Sequence, residues 1–233
     1  MLSESLREAL DITVLWDYRI VLWKGLVITF GVFASAALAA VLGGCLAALL
    51  RTGRWRIGRV AATLHTEIAR NAPDYVMVVW VHFVLPLMIG QLLGRRLEFD
   101  PFWSAVIALG FVYSGYFAET FRAGIEAVPA GQIEAGRAFG MSGTRILWRL
   151  VVPQAIRRVL PESMNQFISL FKATSIVSLI AVPDLMYQVQ MISAQQMKAL
   201  PLYTGSALLY FATVLIAANA LQKAAQHWRN RIL

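Results

Sequence analysis

The feature that most constrains this chain is the recurrence of long apolar runs separated by short basic or mixed stretches. A helix needs about 20 mostly apolar residues to cross a hydrocarbon layer roughly 30 Å thick. Five segments meet that length: residues 25–50, 60–92, 102–121, 160–182 and 203–221. Backbone N–H and C=O groups inside lipid have no water to bond, so such segments must satisfy one another as helices. Composition agrees, with 58% hydrophobic and 15% charged residues, where a soluble domain carries about 25% charged. An all-α integral membrane protein of about five transmembrane helices is predicted. Residues 1–19 form an N-terminal periplasmic or interfacial segment, and residues 20–233 form the membrane domain.

The loops give a direction. Residues 51–59, "RTGRWRIGR", hold Arg51, Arg54, Arg56 and Arg59 without an acid, which places this loop in the cytoplasm by the positive-inside rule. Counting spans from it puts the N-terminus outside and the C-terminus inside. Residues 122–158 then fall inside with Arg122, Arg137, Arg145, Arg149, Arg157 and Arg158 against Glu126 and Glu134. The tail is basic as well, with Lys223, Arg229 and Arg231. The outer loops are balanced, Arg95 and Arg96 against Glu98 and Asp100, and Lys198 against Asp184. At the start of the chain, Leu2, Leu6, Leu10 and Val14 recur every four residues, and Trp16 and Trp23 follow. That stripe reads as an interfacial helix, and its acids argue against a cleavable signal.

Several function classes drop out. The net charge of +8 is explained by basic residues beside apolar spans, so no nucleic-acid partner is expected. Cys45 is the only cysteine, and His65, His82 and His227 lack ligand spacing, so no metal site is expected. No G-x-x-x-x-G-K-[ST] phosphate loop occurs, so the chain has no nucleotide site of its own. Gly43, Gly44, Gly110 and Gly115 suit close packing between spans. Five helices are few to enclose a solute path, which calls for a second copy or a relative around a two-fold axis.

Within the second inner stretch, residues 128–153 parse into local signals. Pro129 suits a first helical turn, Gly140 the left-handed position past a helix end, and Ser142 the cap of a second helix that ends ahead of Pro153. Two short helices meeting at a glycine corner are predicted. The first carries Glu134, Ala135, Gly136, Ala138 and Gly140 around Phe139. A small-residue surface with one aromatic anchor suits helix-in-groove docking. The same residues equally suit a helix packed on its own protein.

This stretch resembles the EAA loop of ABC-importer permeases: "EAGRAFG", followed by Leu150, Val152 and Pro153, with Gly136 in place of the second alanine. The wider resemblance is to the polar amino acid permeases of histidine, glutamine and glutamate/aspartate uptake. It runs through "KGLVITF", "TEIARNAP", "YFAETFRAGIEAVPAGQIEAGRAFG" and "VVPQAIRRVLPESMNQFISLFKATSIVSLI". Asn71 stands where that family has glycine, and Asp74 is a further departure. The resemblance implies a type I ABC-importer permease in a bacterial inner membrane, working by alternating access. The 128–153 loop would hold the coupling helix, with Glu134, Ala135, Gly136, Phe139 and Gly140 on the ATPase. A cytoplasmic ATPase dimer would bind ATP and magnesium, leaving this chain without a cofactor and without an enzymatic role. A second permease, copy or relative, and a periplasmic amino-acid-binding protein complete the set of partners. The run "MVVWVHFVLP" at residues 77–86 leans the substrate toward glutamate and aspartate.

Glu67 with Arg70 and Glu119 with Arg122 stand three apart, within reach on a helix, and read as structural ion pairs. The second pair could also set the angle at which the loop leaves the membrane. Lys172 is costly in a span unless it faces a cavity, a partner or an acid. With Asn165, Thr174 and Ser175 it makes a polar stripe that either lines the solute path or bonds helices together. Two rival classes remain, an ion-coupled secondary transporter and a membrane scaffold. Spans one and five contain no acid from which an ion relay could be built.

Overall fold

A computed structural model describes residues 13–53 and 55–231, with residues 220–222 and 224–231 described by their backbone alone. The stripe at Leu2, Leu6 and Leu10 lies outside the described residues, while Val14 is buried. Every regular element among the described residues is helical: α1 (Thr13–Asp17), α2 (Arg19–Thr52), α3 (Arg56–Asn71), α4 (Asp74–Leu93), α5 (Pro101–Glu126), α6 (Ala130–Ala138), α7 (Gly143–Ile180), α8 (Leu185–Gln196) and α9 (Ala199–Arg231). Four stretches are long and apolar enough to cross a membrane: α2, α4, α5 and residues Ala199–Asn219 of α9. α7 and α8, bent by 48° at the break between them, supply a fifth when taken together.

The second and fourth apolar segments differ from the sequence expectation. Residues 60–92 are two helices, not one. Pro73 has no N–H to give, and a residue before proline is pushed out of the helical region. Ala72 accordingly adopts φ −80°, ψ 128°, and α3 ends there. The fourth segment begins earlier than 160, because the short helix expected at 143–151 runs on without a break into it. The helix tightens at Thr174–Ile180, a 3₁₀ stretch closed by Ala181 at φ 60°.

Three prolines sit well inside helices without stopping them, Pro86 in α4 and Pro153 and Pro161 in α7, and the first two are preceded by the same device. A π-helical turn covers Trp80–Val84, two residues ahead of Pro86, and another covers Leu147–Val151, two residues ahead of Pro153. Proline deprives the preceding turn of a hydrogen bond and crowds its carbonyl. One wide i→i+5 turn relieves that crowding: Leu85 N–H reaches Trp80 C=O, and Val152 N–H reaches Leu147 C=O.

The chain divides into two compact units. The first comprises residues 1–37, 73–110 and 169–217. Its core joins Val14, Leu22, Leu185, Val189, Ile192 and Leu202. Thr29 Oγ1 accepts from Leu185 N–H at 3.1 Å. A Cβ on Gly25 would lie 2.9 Å from the Asp184 carbonyl, so only glycine lets α2 approach the start of α8. Asp184 is fully buried and caps α8 by accepting from Tyr187 N–H at 2.9 Å.

The second unit comprises residues 38–72, 111–168 and 218–233. Small residues bring its helices together. Ala47, Ala62 and Ala118 form one core, and a Cβ on Gly44 would stand 2.6 Å from that of Phe117. Gly115 meets Ala69 and Arg70 in the same way. His65 Nε2 is 2.8 Å from Ser114 Oγ, with its ring edge-on to Phe111.

Candidate functional site

Two constellations stand out, one in each unit. In the second unit, the C-terminal end of α5, α6 and the start of α7 form a helical hairpin with its own core. Val128, Ile146 and Val151 are buried there, with Ile125, Ile133, Met141 and Leu150 packed against them. Pro129 stands just before α6 in an extended conformation. Gly140 has φ 73°, and Ser142 Oγ accepts from Arg145 N–H at 3.4 Å. A left-handed glycine and a serine cap thus turn the chain from α6 into α7. Gln154 Nε2 donates across the hairpin to Gln132 Oε1 at 2.6 Å.

The two faces of α6 differ. Glu134, Ala135, Arg137, Ala138, Phe139 and Gly140 are exposed, Phe139 at 87%. Gly136 is buried, and a Cβ there would lie 3.0 Å from Leu150 Cδ1 and 3.2 Å from Ile146 Cγ1. Expected on the docking face, Gly136 instead faces the chain's own second helix. The glycine takes the inner face, between exposed Ala135 and Arg137, because the hairpin leaves little room there for a side chain.

Above this hairpin three arginines meet one carboxylate. Glu119 accepts from Arg51 Nη1 at 2.8 Å and from Arg122 Nε at 3.2 Å, and Arg70 Nη1 lies 4.0 Å away. Arg122 also pairs with Glu126. The Tyr116 hydroxyl donates to Arg70 C=O at 3.1 Å. The last turns of α2 and α3 are therefore tied to α5 through a single acid. Glu67 is not in this cluster; it takes the side-chain amide of Asn71 instead, through its carbonyl at 2.8 Å and its carboxylate at 3.5 Å. Among the described residues Arg70 pairs with Glu119 and not with Glu67, and Arg51 was not identifiable from spacing along one helix.

The first unit holds a cavity of about 560 Å³. Lys172 and Ser175 line it, with Ser178, Gln190, Ser206 and Tyr210. Thr174 is buried beside it, with its hydroxyl spent on Phe171 C=O at 2.7 Å. Asn165 belongs to the other unit, exposed and bonded to Glu162 at 3.4 Å. The serine hydrogens are committed to backbone carbonyls: Ser175 to Lys172 C=O, Ser178 to Ser175 C=O and Ser206 to Tyr203 C=O. What they present to the cavity is acceptor capacity. Tyr210 is held from behind, its hydroxyl donating to Asp184 Oδ2 at 3.4 Å. Lys172 has no ion-pair partner among the described residues. Gln190, Ser206 and Tyr210 come from helices whose separation in sequence hides the juxtaposition.

Residues 40–230 match the family described as binding-protein-dependent transport system inner membrane component. The chain belongs to that family. It is 30% identical over 207 residues to the arginine ABC transporter permease protein ArtQ of Haemophilus influenzae, covering 89% of this chain and 93% of that one. Against the probable glutamine ABC transporter permease protein GlnP of Bacillus subtilis it is 32% identical, covering 86% and 92%. Its fold matches a crystal structure of an amino acid ABC transporter with histidines at TM-score 0.83 and 28% identity, over 93% of this chain and 98% of that one. An inward-facing MetNI methionine ABC transporter matches at 0.65 and 16% identity, a likeness of fold alone. This inner-membrane component therefore carries a type I permease fold, and its hairpin and cavity are features of a transport subunit.

Proposed function

We propose that the chain is the permease of an ABC importer for a polar amino acid, driven by a separate ATPase. The observation that carries this reading is α6: a short helix held rigidly from inside, offering small residues and a lone exposed phenylalanine outward. Such a surface suits a groove on a partner. The partner ATPase binds ATP and magnesium, and its closure moves the hairpin, while a binding protein delivers solute to the opposite face. A second permease, copy or relative, completes the path. Glu134, Ala135, Phe139 and Gly140 meet the ATPase, and Gly136 supports them from beneath.

The cavity beside Lys172 suits a zwitterion. An unpaired ammonium matches a carboxylate, and the serine oxygens and Gln190 accept from an α-ammonium group. Lys172 and Ser175 then act directly on the solute, Thr174 supports the wall, and Asn165 has no part in this cavity. The named relatives carry arginine and glutamine in their descriptions, so the acidic preference drawn from residues 77–86 has nothing further behind it.

The test is ATP-dependent uptake of labelled arginine, glutamine, histidine and glutamate into proteoliposomes holding this chain with its ATPase and binding protein. Uptake of a polar amino acid that stops without ATP is expected; uptake that persists without ATP and follows an ion gradient overturns the reading. Lys172→Met is expected to lower uptake at least tenfold while the complex still assembles, and loss of assembly would make the lysine structural.

A further inference from the structure

α3 is divided into three faces. Gly58, Ala62, Thr66 and Ala69 are buried, packed through contacts such as Ala62 on Ala47 and Ala118. A polar face carries Arg56, Arg59, Thr63, Glu67 and Arg70. Between them runs an apolar stripe, Ile57, Val60, Leu64 and Ile68, at 71, 68, 60 and 51% exposure. At 16 residues the helix is roughly 24 Å long, and it is not among the candidate spans. Its apolar stripe is therefore a surface set beside the span-forming helices and covered by none of the described residues.

The end of the stripe says what covers it. An apolar groove of about 350 Å³ runs along Arg56, Ile57, Val60 and Ala61. Arg56 has no hydrogen-bond or ion-pair partner among the described residues, and Arg59 makes one bond, to Gly53 C=O at 2.8 Å. Trp55 stands beside them at 62% exposure. No acid occurs from residue 51 to residue 66. A tryptophan with arginines at one end of an apolar stripe is the residue pattern of a membrane interface. From Ile57 to Ile68 the stripe extends roughly 16 Å, enough for most of an acyl chain. A protein partner would have no need of the cations at one end only, whereas an anionic headgroup has its charge at one end and its apolar length along the rest.

We propose that α3 holds one anionic phospholipid, its acyl chain along Ile57, Val60 and Leu64 and its phosphate on Arg56 and Arg59. The lipid is a resident ligand that ties the segment between α2 and α4 to the bilayer surface. The site does not depend on which amino acid is carried.

The purified permease–ATPase complex, placed in nanodiscs of phosphatidylcholine mixed with phosphatidylglycerol, is released and weighed by native mass spectrometry. Preferential retention of phosphatidylglycerol is expected, and the ratio of the two lipids should fall roughly fivefold for each arginine removed, in Arg56→Gln and then Arg56→Gln/Arg59→Gln. Arg56→Lys should keep most of the preference, and Val60→Asp should lower retention of both lipids. Equal retention of the two lipids by the wild type, or an unchanged ratio in the double variant, overturns the proposal. So does an inter-permease disulfide formed readily by Ile57→Cys in a Cys45→Ser background, which would give the stripe to a second copy. The lipid count is read without ATP or amino acid, so it stands or fails separately from import.

Discussion

Gly136 and Phe139 are three positions apart on one helix and ask opposite things of the chain. The glycine is where the hairpin closes on itself, with Leu150 and Ile146 at 3.0 and 3.2 Å from any added Cβ. Gly136→Leu is expected to force the hairpin core apart, costing about 1–3 kcal/mol, and to appear as a lower melting temperature of the purified permease. Phe139 is 87% exposed, so Phe139→Ala should leave that melting temperature unchanged and weaken capture of the ATPase instead. Equal melting losses in both variants would show that α6 has only a structural role. Glu119 and Glu67 make a second contrast. Among the described residues, removing the charge of Glu119 leaves Arg51 without an ionised partner and Arg122 with Glu126 alone, and bonds to charged groups contribute about 1.5–3 kcal/mol. Glu119→Gln should therefore melt several degrees below Glu67→Gln, whose exposed carboxylate serves only Asn71 and whose loss should stay within about 0.5 kcal/mol. Reversed order in a thermal scan would move the structural hub away from Glu119.

Elements are decided by backbone chemistry that the sequence displays unevenly. The contact of Gly44 with Phe117 is an instance in which one position sets the distance between α2 and α5. Gly44→Leu is expected to reduce the yield of folded, monodisperse protein, while Gly131→Ala, with open space around it, should not. A normal yield for Gly44→Leu would mean that the two helices are held apart by something else. Helix ends that need a special residue were legible beforehand, as Gly140 and Ser142 were, because a left-handed backbone and an unpaired N–H each demand a particular side chain. The long apolar runs of α2 and α5 were legible for the same reason of necessity. What hydropathy could not show is continuity. Residues 143–151 read as a short separate helix and Pro153 looks like its stop, yet a π-turn carries the helix through. Residues 60–92 present the reverse case, a run that reads as unbroken although Ala72 and Pro73 divide it. The Lys172 cavity was half legible: a costly lysine marks the spot, but its partners on α8 and α9 emerge only from tertiary packing.

At the scale of the whole molecule, helix length and loop charge together set how often the chain crosses the bilayer. The positive loop at 51–59 and the balanced loop at 94–100 call for one crossing between them, and α4 supplies it whether or not α3 enters lipid. α5 supplies the next. The pair α7 and α8 is different, because helices bent by 48° at a break can be one broken span or a re-entrant loop that returns to its own side. Charge favours a crossing: the hairpin region is rich in arginine, whereas residues 181–198 hold only Asp184 and Lys198, and segments that stay inside retain an excess of basic residues. The basic end of α9, with Lys223, then returns to the first side. In a Cys45→Ser background, Glu98→Cys and Lys198→Cys are expected to react with a membrane-impermeant maleimide in spheroplasts. Arg56→Cys and Lys223→Cys should react only once the membrane is opened. Protection of Lys198→Cys with labelling of Lys223→Cys would make α7 and α8 re-entrant, put the end of α9 on the outer side, and leave the Lys172 cavity reachable from the cytoplasm alone. A permease so built could not pass a solute by rocking, so this single accessibility pattern decides whether alternating access fits the chain.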